Sequence, residues 1–505
     1  MINRSRNFIR GVGAGYLAIA VNIAYTAGSV PLALHYLGKD QFGLWALAQQ
    51  IMGYLMLLDL GVSSAVSRFI ADCKDDVDSR DYGSLLITGG IVFAIQGALI
   101  AIAGTAFSYF APTLFAVPNH LSHDFTNVLI IITGFGGLSV ALRGLGAPLW
   151  AFQRMDFSYM AGSLSLLANF TILWAGFHLG WGVYSFAVAG IPGIFLSPII
   201  FFILCSKSGY YPSRGNWARL KWSNFVRVFS FGKDVFFMTL GSQLVNASQI
   251  IILSRFAGLD AAATFAVGTK LYNMGQQFTG RIMESAAPAL TEMFVRRDVA
   301  RFNLRFDNVV ALTTFLATLG AAGLIAGNTF LVALWTSGVI HWNLTCDVLL
   351  AGLLIATSLT RCLTALFGLA GNLRPIRHIY FVEGCFFIAL AIPAASHFGV
   401  VGLLLVALTT HLAVTAVLSL RASANVLGSV RTIVISGLAS VVVTSCIIII
   451  SFVSTTMVIP TILIFLKIPL MVFLVFVGGW FSILPSTFRA DLASKSRKIM
   501  DKYIL

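Results

Sequence analysis

Three arginines, Arg143, Arg281 and Arg361, each fall inside a long apolar run of the chain. A charged side chain at the centre of a bilayer costs about 2.5–3.5 kcal/mol even on the lenient insertion scale, so each needs a reason to be there. All three lie at a similar depth in the inner half of their runs. A guanidinium stays charged and presents its donors as a fork that matches carboxylate or phosphate. Three at one level suit a phosphate-bearing ligand that enters from the cytoplasmic leaflet. Salt bridges with Asp59, Glu284 or Glu383 are the competing reading.

Polar residues around these arginines recur at helical spacing. Lys270, Asn273, Gln277, Arg281, Glu284 and Pro288 occupy an arc of about 80° on one helix face. Similar stripes comprise Asn22, Tyr25, Thr26 and Ser29; Gln49, Asp59, Ser63 and Ser67; and Thr239, Ser242, Asn246 and Gln249. A further one comprises Asp347, Thr357, Ser358, Arg361 and Thr364. Such faces must turn to a protein interior or a water-filled cavity. Taken singly, Ser, Thr and Asn in apolar runs are ordinary interhelical hydrogen-bonding residues. The candidate ligand-binding set is Arg143, Arg281, Arg361, Lys270, Gln277 and Asn246. Asp59 and Glu284 are candidates for coupling an ion, with local capping or pairing as the plainer role for Asp59.

The elements that position these residues are transmembrane helices. Of 505 residues 58% are hydrophobic and 10% charged, against about 25% charged in an ordinary soluble domain. Runs of the roughly 20 apolar residues that cross a bilayer recur throughout. We place fourteen spans, near 11–34, 42–70, 83–110, 125–150, 158–178, 182–205 and 229–254, then 264–290, 308–335, 345–370, 379–396, 400–424, 432–454 and 459–481. The fold class is an all-α polytopic membrane protein. The first span, behind Arg4, Arg6 and Arg10, is too long for a cleaved signal peptide, so it is read as retained.

The net charge of +14 reports topology. With a cytoplasmic N-terminus, Lys and Arg crowd the inner segments, and only Lys39 and Arg255 fall in outer ones, the positive-inside pattern. Both termini are then cytoplasmic. The surplus charge meets anionic lipid, not nucleic acid. Six scattered cysteines and eight unclustered histidines give no metal-ligand spacing. Catalytic motifs and an ATP-binding loop are missing too, so no enzyme activity and no cofactor is expected.

An internal repeat organises the chain. YLGKDQFGLWALAQQIMGY (36–54) and FAGLDAAATFAVGTKLYNM (256–274) align at an offset of 220, matching Gly38 with Gly258 and Asp40 with Asp260. Asn22, Thr26 and Ser29 fall on Ser242, Asn246 and Gln249, and at 218 Arg143 falls on Arg361. Six spans is an even number, so the two copies enter the membrane in the same direction, with a ligand expected at their interface. The expected organisation is a six-helix lobe at 1–205, a basic cytoplasmic linker at 206–228, a second six-helix lobe at 229–424, and two extra helices with a tail at 425–505.

Residues 37–71, LGKDQFGLWALAQQIMGYLMLLDLGVSSAVSRFIA, resemble the polysaccharide-transport branch of the multidrug/oligosaccharidyl-lipid/polysaccharide exporter superfamily, which includes the O-antigen flippases. AFQRMD (151–156), SRFAGLDAAATFAVGTKLYNMGQQF (254–278), PALTEMF (288–294) and ALFGLAGNLRPIRHIY (365–380) add to the likeness, which runs diffusely over 10–425. The resemblance implies two six-helix bundles plus two helices. It implies export of an undecaprenyl-diphosphate-linked oligosaccharide, an O-antigen or exopolysaccharide unit, across the bacterial inner membrane by alternating access. The expected partners are that lipid-linked oligosaccharide, a coupling ion (H+ or Na+), membrane lipids and other polysaccharide-assembly proteins. The first span carries neither the arginines of the related lipid II flippases nor the acidic residue of many drug exporters. A drug/cation antiporter of the same fold, a membrane-embedded polymerase or glycosyltransferase on the same carrier, and a non-transporting scaffold are the alternatives.

Overall fold

A backbone in hydrocarbon has no water to satisfy it, so each N–H and C=O must bond within its own helix or a closed barrel. The chain takes the helical route. The computed structural model describes residues 2–152, 154–217, 221–369, 374–427, 431–456, 461–486 and 488–490, and no strand occurs among them. Nine helical segments of these are long and apolar enough to cross a membrane, joined by shorter apolar helices that include Leu259–Gly268, Ile433–Ile449 and Pro469–Ser482. The protein is an all-α, multi-pass membrane protein.

Spans 1, 3, 5 and 10 are single helices, Ile2–Tyr36, Arg80–Ser108, Met155–His178 and Leu344–Leu369. Spans 13 and 14 are Arg431–Thr456 and Thr461–Ser482. The apolar stretch Arg374–Ala424 has 51 residues, about 76 Å if straight, far beyond the roughly 30 Å of a hydrocarbon core. It bends at Gly399, φ 56° and ψ −132°, a conformation that favours glycine, and so supplies spans 11 and 12.

Among the described residues four spans contain a 3₁₀ or π-helical stretch, and these stretches position several of the candidate side chains. Span 2 runs as Lys39–Leu55, a 3₁₀ turn Met56–Asp59, and Val62–Asp72. Span 4 runs as Asn119–Ala141, a 3₁₀ turn Leu142–Gly146, and Ala147–Ala151. Span 9, Val299–Trp335, contains a π-helical stretch at Leu324–Asn328, and span 12 contains another at His411–Ala416. Irregular backbone at membrane depth is tolerated only where protein or water satisfies it.

The chain divides into two compact units, Met1–Ala266 and Val267–Leu505. In the first, spans 3 and 4 touch through glycines: a Cβ at Gly97 would strike the Gly137 carbonyl, and one at Gly137 would strike that of Gly97. Small residues let membrane helices approach this closely. Span 7 (Trp222–Asn246 and Ser248–Phe256) packs within this unit. Tyr54 Oη donates to Gln243 O at 3.1 Å and shares a hydrogen bond with Ser248. Gly43 lies against the Leu259 carbonyl, and Lys39 pairs with Asp260 at 3.5 Å. Contacts thus carry the first unit past the repeat-based boundaries at 205 and 229.

The described part of the basic linker is docked on the first unit. Tyr82 and Tyr211 donate to the carbonyls of Tyr210 and Leu145, each at 2.7 Å, and Phe152 stacks on Tyr210. Residues 218–220, with Arg219, lie outside the described residues, as do residues 370–373 between spans 10 and 11. In the second unit Met283, Leu290, Phe302, Phe306, Leu363 and Leu366 join spans 8, 9 and 10 in one buried cluster.

Candidate functional site

In the first unit, the two 3₁₀ turns bring Asp59 and Arg143 together. Span 2 breaks just after Asp59: Leu60 and Gly61 both take left-handed angles, φ 50° and 72°. That conformation costs roughly 1–2 kcal/mol for leucine and little for glycine. The Asp59 carboxylate accepts from Ser63 N at 3.3 Å and Ser63 Oγ at 2.6 Å, capping the helix that restarts. Gln96 Nε2 donates to the Asp59 carbonyl at 2.7 Å. Arg143 Nη1 stands 3.6 Å from Asp59 Oδ1, an ion pair longer than a hydrogen bond. The arginine side chain is 41% exposed and the aspartate 18%. Asn246, also in this unit, folds back on its own helix, donating to Ser242 O at 2.9 Å.

Span 8 begins as Leu259–Gly268, most of it in the first unit, and continues in the second as Lys270–Val295, which turns Asn273, Gln277 and Glu284 outward and buries Thr279, Gly280 and Met283. Arg281 Nη1 lies 2.9 Å from Glu284 Oε2 on the same face, an i,i+3 pair with Glu284 64% exposed. Such exposed pairs contribute about 0–1 kcal/mol. Lys270 is half-buried.

Arg361 reaches from span 10 onto span 8, where Nη1 and Nη2 donate to Gln276 O and Oε1, each at 3.0 Å. Gln276 in turn donates to Tyr272 Oη at 3.2 Å and to Thr357, and Ser358 Oγ donates to Thr279 Oγ1 at 3.0 Å. Among the described residues no carboxylate pairs with Arg361. Its hydrogen-bond partners are neutral and its residue is exposed.

The predicted residues therefore form two groups, Arg143 with Asp59 in the first unit and Arg361, Arg281 and Glu284 along span 8 in the second. Gln276, which seats Arg361, was missed: its neighbour Gln277 fits the polar stripe and Gln276 does not. Glu383, weighed as a partner for an arginine, pairs instead with His411, Oε1 to Nδ1 at 2.7 Å.

Asp347, part of the span 10 stripe, is fully buried and accepts from four donors. These are Asn328 Nδ2 at 2.6 Å, Thr329 N at 3.1 Å, Thr329 Oγ1 at 2.5 Å and Trp342 Nε1 at 2.7 Å. Both carboxylates are served by π-helical stretches that no spacing in the sequence announces.

Comparison with known proteins gives a concordant picture. The family model described as polysaccharide biosynthesis protein matches residues 11–294. An uncharacterized membrane protein, EpsK of Bacillus subtilis (strain 168), is 20% identical over 322 residues, covering 62% of this chain and 62% of that protein's length. The lipid II flippase MurJ in an inward closed conformation superposes with a TM-score of 0.65 at 15% identity, over 96% of this chain and 100% of the other. An inward-facing multidrug resistance MATE family transporter of the MOP superfamily gives 0.65 at 11% identity, over 83% of this chain and 98% of the other. At these identities the two structures show a shared fold.

Proposed function

The chain belongs to the polysaccharide biosynthesis protein family, and from that premise we propose that it is a flippase for a lipid-linked oligosaccharide. The proposed substrate is an undecaprenyl-diphosphate-linked O-antigen or exopolysaccharide unit, moved across the bacterial inner membrane. The glycan and diphosphate pass along polar faces while the polyprenyl tail stays in lipid. Movement is by ion-coupled alternating access of two six-helix lobes, with both termini in the cytoplasm and other polysaccharide-assembly proteins as partners.

One observation carries the reading: Arg361 holds a membrane-embedded positive charge against the neutral oxygens of Gln276. An intramembrane charge with no opposite charge beside it is a ligand site by default, and a guanidinium fork fits phosphate oxygens. Arg143 adds an exposed guanidinium loosely held by Asp59. A cationic drug would need the opposite charge at these positions, which weighs against the antiporter reading.

The test uses purified full-length protein in proteoliposomes loaded on one face with undecaprenyl-diphosphate oligosaccharide. Glycan transfer to the other leaflet, read by accessibility to an impermeant glycosidase, is expected with wild type and lost with Arg361→Gln. Transfer no faster than in protein-free vesicles would overturn the assignment.

A further inference from the structure

Glu383 of span 11 is 4% exposed and meets two buried residues of span 12, His411 and Thr415. His411 Nδ1 lies 2.7 Å from Oε1, and Thr415 Oγ1 donates to Oε2 at 2.5 Å. On the far side of the ring, Thr360 Oγ1 of span 10 lies 2.8 Å from His411 Nε2 and 2.9 Å from the Ala356 carbonyl. His411 and Thr415 both belong to the π-helical stretch His411–Ala416 and, four residues apart, share the face that meets the carboxylate. Such insertions concentrate at functional sites.

Counting protons gives this cluster two states. When the Thr360 hydroxyl donates to Ala356 O, it can only accept from His411, so Nε2 carries a proton. Nδ1 and Oε1, 2.7 Å apart, then need a second proton between them, and the pair is neutral overall. When the hydroxyl turns to donate to Nε2, the ring keeps one proton, on Nδ1, and the pair carries one negative charge. The states differ by one proton and by rotation of one hydroxyl. Asp347 makes the contrast: surrounded by four donors, it has among the described residues no partner base with which to share a proton.

We propose that Glu383, His411, Thr415 and Thr360 form the proton-binding site that couples transport to proton flow. This rests on the ion-coupled flippase reading, and it replaces Asp59 and Glu284 as the coupling carboxylates. The other titratable or charged groups about the pair are Arg361 of span 10, Tyr272 of span 8 and Tyr380 of span 11. Arg361 directly follows Thr360, whose Oγ1 lies 2.8 Å from His411 Nε2, so one turn of span 10 carries both the ligand's arginine and the proton site. Arg361 is therefore the link between ligand and proton. A diphosphate seated on it withdraws its positive charge from Glu383, favouring the neutral, proton-loaded pair, and departure of the ligand favours proton release.

Two measurements test this separately from the substrate assignment. Proton uptake by the detergent-solubilised full chain after a pH jump from 8 to 5 should be one proton lower in His411→Gln than in wild type. It should move along the pH axis in Glu383→Gln and be indifferent to sodium. Uptake identical in all three would overturn the site. In proteoliposomes, Glu383→Gln should lose accumulation driven by a proton gradient while keeping gradient-free exchange, which a folding defect would abolish too. Gradient-driven accumulation intact in Glu383→Gln, or driven by sodium alone in wild type, also overturns it. Wild type that moves no lipid-linked oligosaccharide under any gradient would sink the flippase reading while leaving the proton measurement readable.

Discussion

Gly280 of span 8 leaves the space that the Arg361 guanidinium fills, since a Cβ at Gly280 would collide with Nη1. The glycine thereby fixes where the charge of span 10 sits against Gln276. In Gly280→Ala the group displaced is the end of a flexible side chain, and alanine favours a helix interior by about 1 kcal/mol over glycine. Membrane abundance should be unchanged or higher, with glycan export reduced towards the level of Arg361→Gln. Immunoblots and export measured on the same cells check this. Wild-type export from Gly280→Ala would show that the seat of the charge is immaterial.

The outward face of span 8 was legible in the sequence because it obeys one period: Asn273, Gln277 and Glu284 are exposed where 3.6 residues per turn puts them. Run length and hydropathy likewise located the helices. The interruptions were not legible. A left-handed Leu60 and two π-helical stretches run against local preference, and they persist because the Asp59 carbonyl and the carboxylates of Asp347 and Glu383 take hydrogen bonds across helices. Read alone, His411 is a single histidine in an apolar run; only the chain fold brings Glu383 to it.

Access to span 8 can be read by thiol labelling. With the exposed Cys385 and Cys446 replaced by serine, a cysteine at Gln277 should react with an impermeant reagent in membranes open on both faces. A cysteine at Met283, only 3% exposed, should not. Equal reactivity at 277 and 283 would remove the wet-face argument.

The linker is pinned by Asp78, whose carboxylate accepts from Ser213 N at 2.7 Å and lies 3.5 Å from Asn216 Nδ2. The Ser213 backbone N–H, and then side-chain hydrogen bonds from Ser213 and Asn216, hold its carboxyl below the ordinary aspartate range. A depressed folded value means that the contribution is fully present above the unfolded value and lost as pH falls through the folded one. At neutral pH it is therefore intact in wild type and absent in Asp78→Ala, which leaves Ser213 N without its acceptor. Trypsin should cleave after Arg214 faster in Asp78→Ala than in wild type at pH 7.5. Equal cleavage rates would show that the anchor lies elsewhere, for example in the Lys221–Asp81 pair.

Asp59 has two roles that substitutions can separate, and Arg143 depends on which one dominates. The carboxylate caps the restarted helix through Ser63 and also stands 3.6 Å from Arg143. Asp59→Ala removes both, and loss of a cap costs about 0.5–2 kcal/mol, enough to lower abundance. Asp59→Asn keeps an oxygen for Ser63 and removes only the charge, so abundance should stay near wild type. The pair itself is long and its arginine exposed, so breaking it should cost no more than about 1 kcal/mol. Arg143→Gln should then accumulate normally and lose export, because the missing charge served the diphosphate and not the fold. In the Arg143→Gln/Asp59→Asn double variant the ion pair is deleted while the cap survives. If Arg143 acts on the ligand, export stays lost, since removing the aspartate's charge cannot restore a phosphate contact. If the arginine only neutralises a buried carboxylate, the double variant regains export, and Arg143 leaves the ligand site.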